Sequence, residues 1–242
     1  MSFSSQTSVR EFRMNRNFHD TFGFVPRHNG GTGINSAIMW SVTILPYIDQ
    51  APLFKAIDPL KGGTVTAGTE ANTSLPVYAC PSNTSTTPGK MNYGMSDFGY
   101  QYPATPANWC AGIGRHANDT TGIACKADNP AARGVKFRDV TDGLSNTIFF
   151  GERKVTSSYV AGGVNTWSAN GASQGYVGSV GFLNSSGWKI NGTNASAIGS
   201  FHVGGARVLM GDGAVRFLSE NINAGTAGGL MAYADGNVVQ LH

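Results

Sequence analysis

The groups best suited to chemistry in this sequence are His202, Asp212, Asp142 and Glu152. Neutral imidazole and carboxylates bind metals, and Asp/Asn-rich Asp-Gly loops hold calcium through oxygen ligands. Calcium is therefore the candidate ion, with Asp212, Asp142 and Glu152 as its candidate ligands. The preferred reading of the same residues is structural. Asp142-Gly143, Asp212-Gly213 and Asp235-Gly236 are what tight turns require, an Asp capping its own turn and a Gly taking positive φ. No DxDxDG loop with a downstream Glu is present. His202 precedes Gly204-Gly205 and reads as a hydrogen-bonding core or turn residue, and Glu152 as a buried partner of Arg153 or His202. No GxSxG, HExxH or GxxxxGK[ST] occurs. Ser145-Asn146-Thr147 reads as a cap at the start of a helix or strand rather than a nucleophile. The chain is accordingly expected not to be an enzyme and to need no cofactor; calcium is only the ion that these carboxylates would suit.

The cysteines are Cys80, Cys110 and Cys125, with no CxxC pair. Cys110 and Cys125 bracket a polar stretch and are the disulfide candidates. Such a loop would stabilise the fold by about 3 kcal/mol in the chain-entropy account. Cys80, in YACPS, reads as a small buried apolar residue before a proline turn, and no basic partner for it is visible in the sequence. Trp40, Trp109, Trp167 and Trp188 stand among Asn, Ser and Gly, surroundings that suit either sugar stacking or core packing.

The elements that must position these groups are short. Gly, Ser, Thr and Asn account for 93 of 242 residues, against 51 for Leu, Ile, Val and Phe. The chain is long enough for a real core, but its composition disfavours a long-helix bundle and excludes a coiled coil. The net charge is +3 with no nucleic-acid type Lys/Arg cluster, so no nucleic-acid partner is expected. Arg10, Arg13 and Arg16 would share one helix face. No apolar run approaches the ~20 residues that span a bilayer.

Residues 8–20 carry helical spacing that stops at Gly23, so a helical segment is expected over 1–22. Residues 38–57 are expected to form short helices around Pro46 and Pro52, and LPVYACP (75–81) a short strand. Residues 82–134 read as a loop-rich insertion, and NTIFFGERK as a strand after the Asp142-Gly143 turn. ARVLM, Gly211-Asp212-Gly213 and AVRFLS are the clearest hairpin, with SENIN leading into a short helix. MAYADGNVVQLH is expected to repeat the device with a final strand over 238–241. Strands rising ~3.3 Å per residue would hold His202 and Asp212 about 20 Å apart, unless Gly204-Gly205 folds the chain back.

Several of these segments, in order, carry a resemblance. His202, nine residues, then Asp212-Gly213; Asp142, Gly143, Ser145, Asn146, Thr147, Gly151 and Glu152 in DGLSNTIFFGE; YACPS with Asn92-Tyr93; and NFHDTFGFVP with LPYIDQAPLF. Together they resemble the bacterial prepilin-type processing-associated His-x9-Asp-Gly family. That family overlaps a large family of unknown function also labelled solute-binding. The resemblance implies an α+β, pseudopilin-like fold in a single domain over 1–242, an N-terminal helix packed on an antiparallel sheet with long loop-rich insertions. It also implies an exported, non-enzymatic structural or assembly protein at the cell surface, outside the cell or in the periplasm. Its implied partners are its own copies or other pilin-like subunits, as in a surface filament. Family members begin with a basic leader and an apolar helix where MSFSSQTSVREFRMN stands here, so membrane contact is expected only through such a helix. The alternative is a carbohydrate- or solute-binding module, supported by region 82–134 and the tryptophans.

Overall fold

The fold was analysed in a computed structural model, which describes residues 16–26, 40–57, 73–84, 91–100, 109–111, 113, 135–154, 179–182, 187, 189–194, 197–234, 236, 238 and 239. It is α+β: short helices flank one six-stranded sheet. Helix α1 covers 16–22 and ends at Gly23, whose φ of 76° closes the turn through its N–H to the His19 carbonyl. Residues 1–15 of the expected segment lie outside the described residues. Helix α2 (Trp40–Thr43), a 3₁₀ turn (Leu45–Ile48) and α3 (Ala51–Ile57) form the expected short helices around Pro46 and Pro52.

Strand β1 (Tyr93–Tyr100) is the hub of the sheet. It pairs antiparallel with β2 (Trp109–Ala111) and with β3 (Ile148–Glu152), and parallel with β4 (Ser179–Phe182). Met95 pairs with both Phe150 and Ser179, and Phe98 with both Ala111 and Gly181. Hence β3 and β2 follow one another along one edge of β1, and β4 runs along the other. Strand β5 (Gly205–Met210) joins the far side of β3, and β6 (Val215–Ser219) closes the expected hairpin, Leu209 facing Val215 and Gly205 facing Ser219. Helix α4 (Ala224–Met231) follows, its N-terminus capped by the Asn223 side chain, which accepts from the N–H groups of Gly225 and Thr226.

Three expectations are corrected. Residues 75–81 form no strand: Pro76–Tyr78 is a 3₁₀ turn. Pro76 has no N–H to give a ladder, and the turn sends the Tyr78 ring inward, where its hydroxyl donates to the Ser41 carbonyl at 2.7 Å. Region 82–134 is not all insertion, because β1 lies inside it. Gly94 and Gly99 read as turn formers, yet they pair with Gly151 and Cys110. Met231 ends a helix rather than starting a hairpin, and residues 238 and 239 carry no strand. The Gly236 N–H donates instead to the Asp142 carboxylate at 3.0 Å, which draws this segment to the 142 loop.

Each face of the sheet carries a buried core, while β6 is mostly exposed. Trp40, Ile44, Leu45, Tyr78, Met95, Phe150 and Leu209 form one core with the N-terminal helices. Ile148, Ile198, Ala206, Val208, Met210, Leu218 and the Ala227, Leu230 and Met231 side of α4 form the other. A bulge in β3 links them. Ile148 pairs with Met210 and Phe150 with Leu209, so Phe149 is the extra residue and the strand changes face across it.

Candidate functional site

Three side chains from distant parts of the chain meet where the central strand β3 ends. Cys80 follows the Pro76–Tyr78 turn and is buried. Its N–H donates to the buried Asn92 Oδ1 at 2.8 Å, while the Asn92 N–H donates to the Tyr78 carbonyl and the Arg153 N–H to the Asn92 carbonyl. Asn92 therefore fixes Cys80 against the start of β1 and the end of β3. Glu152 is the last residue of β3 and is 2% exposed. His202 sits in the loop before β5, its side chain 24% exposed. The Ser200 hydroxyl shapes that loop: it donates to the Gly205 carbonyl at 2.7 Å and accepts from the His202 N–H at 3.0 Å. The Gly199 N–H donates to the Glu152 carbonyl, tying the loop to β3.

The His202 Nε2 lies 3.5 Å from Glu152 Oε1 and 3.9 Å from Cys80 Sγ, and the three ligand atoms lie within 4.8 Å of one another. Glu152 Oε2 accepts the Arg207 N–H at 2.7 Å, whereas the buried Oε1 accepts no hydrogen bond among the described residues. Burial raises the Glu152 carboxyl above its ordinary value of 4.5. The Arg207 N–H and the charges of His202 and Arg207 oppose that rise without cancelling it. A thiol, an imidazole and a carboxylate converging on one point form a metal-ligand set.

The other expected site residues are used differently. Asp142 is buried and its Oδ1 accepts the Gly236 N–H. Gly143, with φ 96°, opens a 3₁₀ turn over Leu144–Asn146, in which Ser145 is central. The Asn146 side chain donates to the Asp142 carbonyl and the Thr147 hydroxyl to the Gly143 carbonyl, both at 3.1 Å. Asp212 is exposed and caps the β5–β6 turn, accepting the Ala214 N–H at 2.8 Å, and Gly213 supplies φ 90°. Gly151 pairs with Gly94 and Val208 inside the sheet. Asp212, Asp142 and Glu152 thus do not gather at one point among the described residues, and His202 and Asp212 do not meet. The expected contact between His202 and Glu152 is present.

Cys80 is buried as expected, but beside a histidine that the sequence did not place there. Each of the segments YACPS, DGLSNTIFFGE and the stretch from His202 to Asp212-Gly213 supplies one of these ligand-type side chains; that was the only signal. Cys125 lies outside the described residues and Cys110 is placed only by its backbone in β2, so the expected disulfide lies outside them too. Trp40 is core, packed edge-on against Tyr78 and Phe150. Trp167 and Trp188 lie outside the described residues.

No curated protein and no solved structure matches the chain. One family profile does, over residues 16–225, which include Cys80, Glu152, His202 and every strand of the sheet. That span is most of the 242 residues, and the chain belongs to the family described as "Protein of unknown function (DUF1559)".

Proposed function

We propose that the protein is a non-enzymatic structural and assembly protein of pseudopilin type, from the prepilin-type His-x9-Asp-Gly branch. In this reading it is exported and acts at the cell surface or in the periplasm as one subunit of a homo-oligomer. The observation that carries the reading is the outer strand of the C-terminal hairpin. Strand β6 ends the sheet among the described residues, and its outward side chains Val215 and Phe217 are 36% and 51% exposed. Phe201 and Val203, in the loop before β5, are exposed as well. An apolar, unpaired edge invites strand addition. The charges on β6 and just past its end favour a second copy as the occupant. Antiparallel pairing of two β6 strands about Leu218 would set Arg216 of each copy opposite Glu220 of the other, a favourable cross-strand pair.

Light scattering after size exclusion, over a concentration series, tests this, with electron microscopy of the most concentrated sample. The wild type should associate. Arg216→Glu should weaken association, and Arg216→Glu/Glu220→Arg should restore it. A wild type that stays monomeric throughout overturns the reading, as does a double variant no better than the single one. A monomer whose melting temperature rises with a glycan would favour the solute-binding alternative.

A further inference from the structure

We propose that Cys80, Glu152 and His202 form a zinc site with one coordination position open toward solvent. The geometry carries the assignment. A catalytic relay would place the thiol and the carboxylate on opposite nitrogens of the imidazole ring. Here both approach the same atom: Nε2 is 3.9 Å from Sγ and 3.5 Å from Oε1. Three ligand atoms facing one common centre give that pattern. With ordinary zinc bond lengths and tetrahedral angles, the S···N edge would be about 3.6 Å and the N···O edge about 3.4 Å. The two edges at Nε2 lie close to these values, and the S···O edge, within 4.8 Å here, would close toward about 3.6 Å as the ion draws the Cys80 turn and the end of β3 together.

A second observation points the same way. Glu152 Oε1 is buried and has no donor among the described residues nearer than His202 Nε2 at 3.5 Å, beyond good hydrogen-bond distance, while its sister oxygen is held by the Arg207 N–H. A buried carboxylate oxygen left without a donor is costly, and a cation satisfies it. The set chooses the ion. Calcium and magnesium take mostly oxygen ligands, whereas one thiolate, one imidazole and one carboxylate suit zinc. Three protein ligands leave the fourth position to water, and His202, the least buried member, marks the side from which the ion enters. Binding displaces the Cys80 thiol proton to solvent. The ion would cross-link the Cys80 turn, the end of β3 and the loop before β5, so it should raise the melting temperature.

The test uses the full chain, stripped with a chelator and titrated with zinc salt in a calorimeter. One equivalent should bind. Cys80→Ser and His202→Ala should each weaken binding by more than about 100-fold, since losing a direct ligand exceeds the roughly 10–100-fold typical of outer partners. Cobalt(II) in place of zinc should give tetrahedral ligand-field bands and a thiolate charge-transfer band. Cys80→Ser should abolish the latter. Cys110→Ser/Cys125→Ser should bind as the wild type does. No binding by the wild type overturns the proposal. So does wild-type affinity in His202→Ala, which keeps the thiol and decides the matter if Cys80→Ser fails to fold. Loss of the charge-transfer band in Cys110→Ser/Cys125→Ser also overturns it, by moving the thiolate elsewhere.

Discussion

Glu152 is pulled two ways. Its burial favours the neutral acid, while the Arg207 N–H and the neighbouring His202 and Arg207 charges favour the carboxylate. Burial prevails, and the folded-state value lies above 4.5. The sign of the pH dependence follows. Below the unfolded value both states hold the proton, and the group's stabilising contribution is complete. As pH rises through the raised folded value, that contribution is lost. Glu152→Gln keeps an acceptor for the Arg207 N–H but cannot titrate. With a chelator present, urea unfolding from about pH 4 to about pH 8 should show wild-type stability falling relative to Glu152→Gln as pH rises. Parallel curves would contradict this account. At this scale the sequence was half legible. Glu152 and His202 were readable as partners because buried charge needs compensation. Cys80 was not, because its nearness to a residue 122 positions away is a tertiary fact.

The elements were legible where local chemistry decides them and obscure where packing does. The β5–β6 hairpin could be read from its turn alone. Asp212 caps it and Gly213 sits at φ 90°, where a β-branched residue is strained. Gly213→Val should therefore cost on the order of 1–3 kcal/mol in denaturant unfolding. Gly205, at the start of the same hairpin, makes a different demand. A Cβ there would come within 2.0 Å of the Leu218 carbonyl oxygen and 2.8 Å of the Phe217 ring. Gly205→Ala should fall at or above the top of the roughly 1–3 kcal/mol range for overpacking, because backbone cannot swing aside. An Ala variant with wild-type stability would mean that the hairpin opens there freely. Strand β1 shows the opposite case. Its YGMSDFGY carries two glycines, a serine and an aspartate, residues that favour turns when judged locally. The strand exists because β3, β2 and β4 surround it and because Ser96 packs toward α4, where its hydroxyl reaches the Met231 carbonyl. Neighbours supply what propensity does not.

At the scale of the whole molecule, the buried apolar side chains among the described residues divide between two cores on opposite faces of one sheet. Each core is modest, so neither face is expected to hold the sheet flat alone. Strand β3 is shared by both: Ile148 belongs to the α4 face, Phe150 to the Trp40 face, and the Phe149 bulge between them turns the strand over. Damage to either face should then pass through β3 to the other, and the two cores should melt together. Trp40 is fully buried, and Trp40→Ala should cost about 3–5 kcal/mol; Leu230→Ala, on the opposite face, should cost about 2–5 kcal/mol. Calorimetry can separate shared from independent melting. If β3 couples the faces, each variant lowers the temperature of one and the same transition. If Trp40→Ala shifted one transition and left a second where it was, the cores would be independent, and the bulge would be only a local irregularity. The shared strand also ends at Glu152. An ion held by Cys80, Glu152 and His202 would therefore brace both cores through one strand, and zinc should raise that single transition as a whole rather than broaden it.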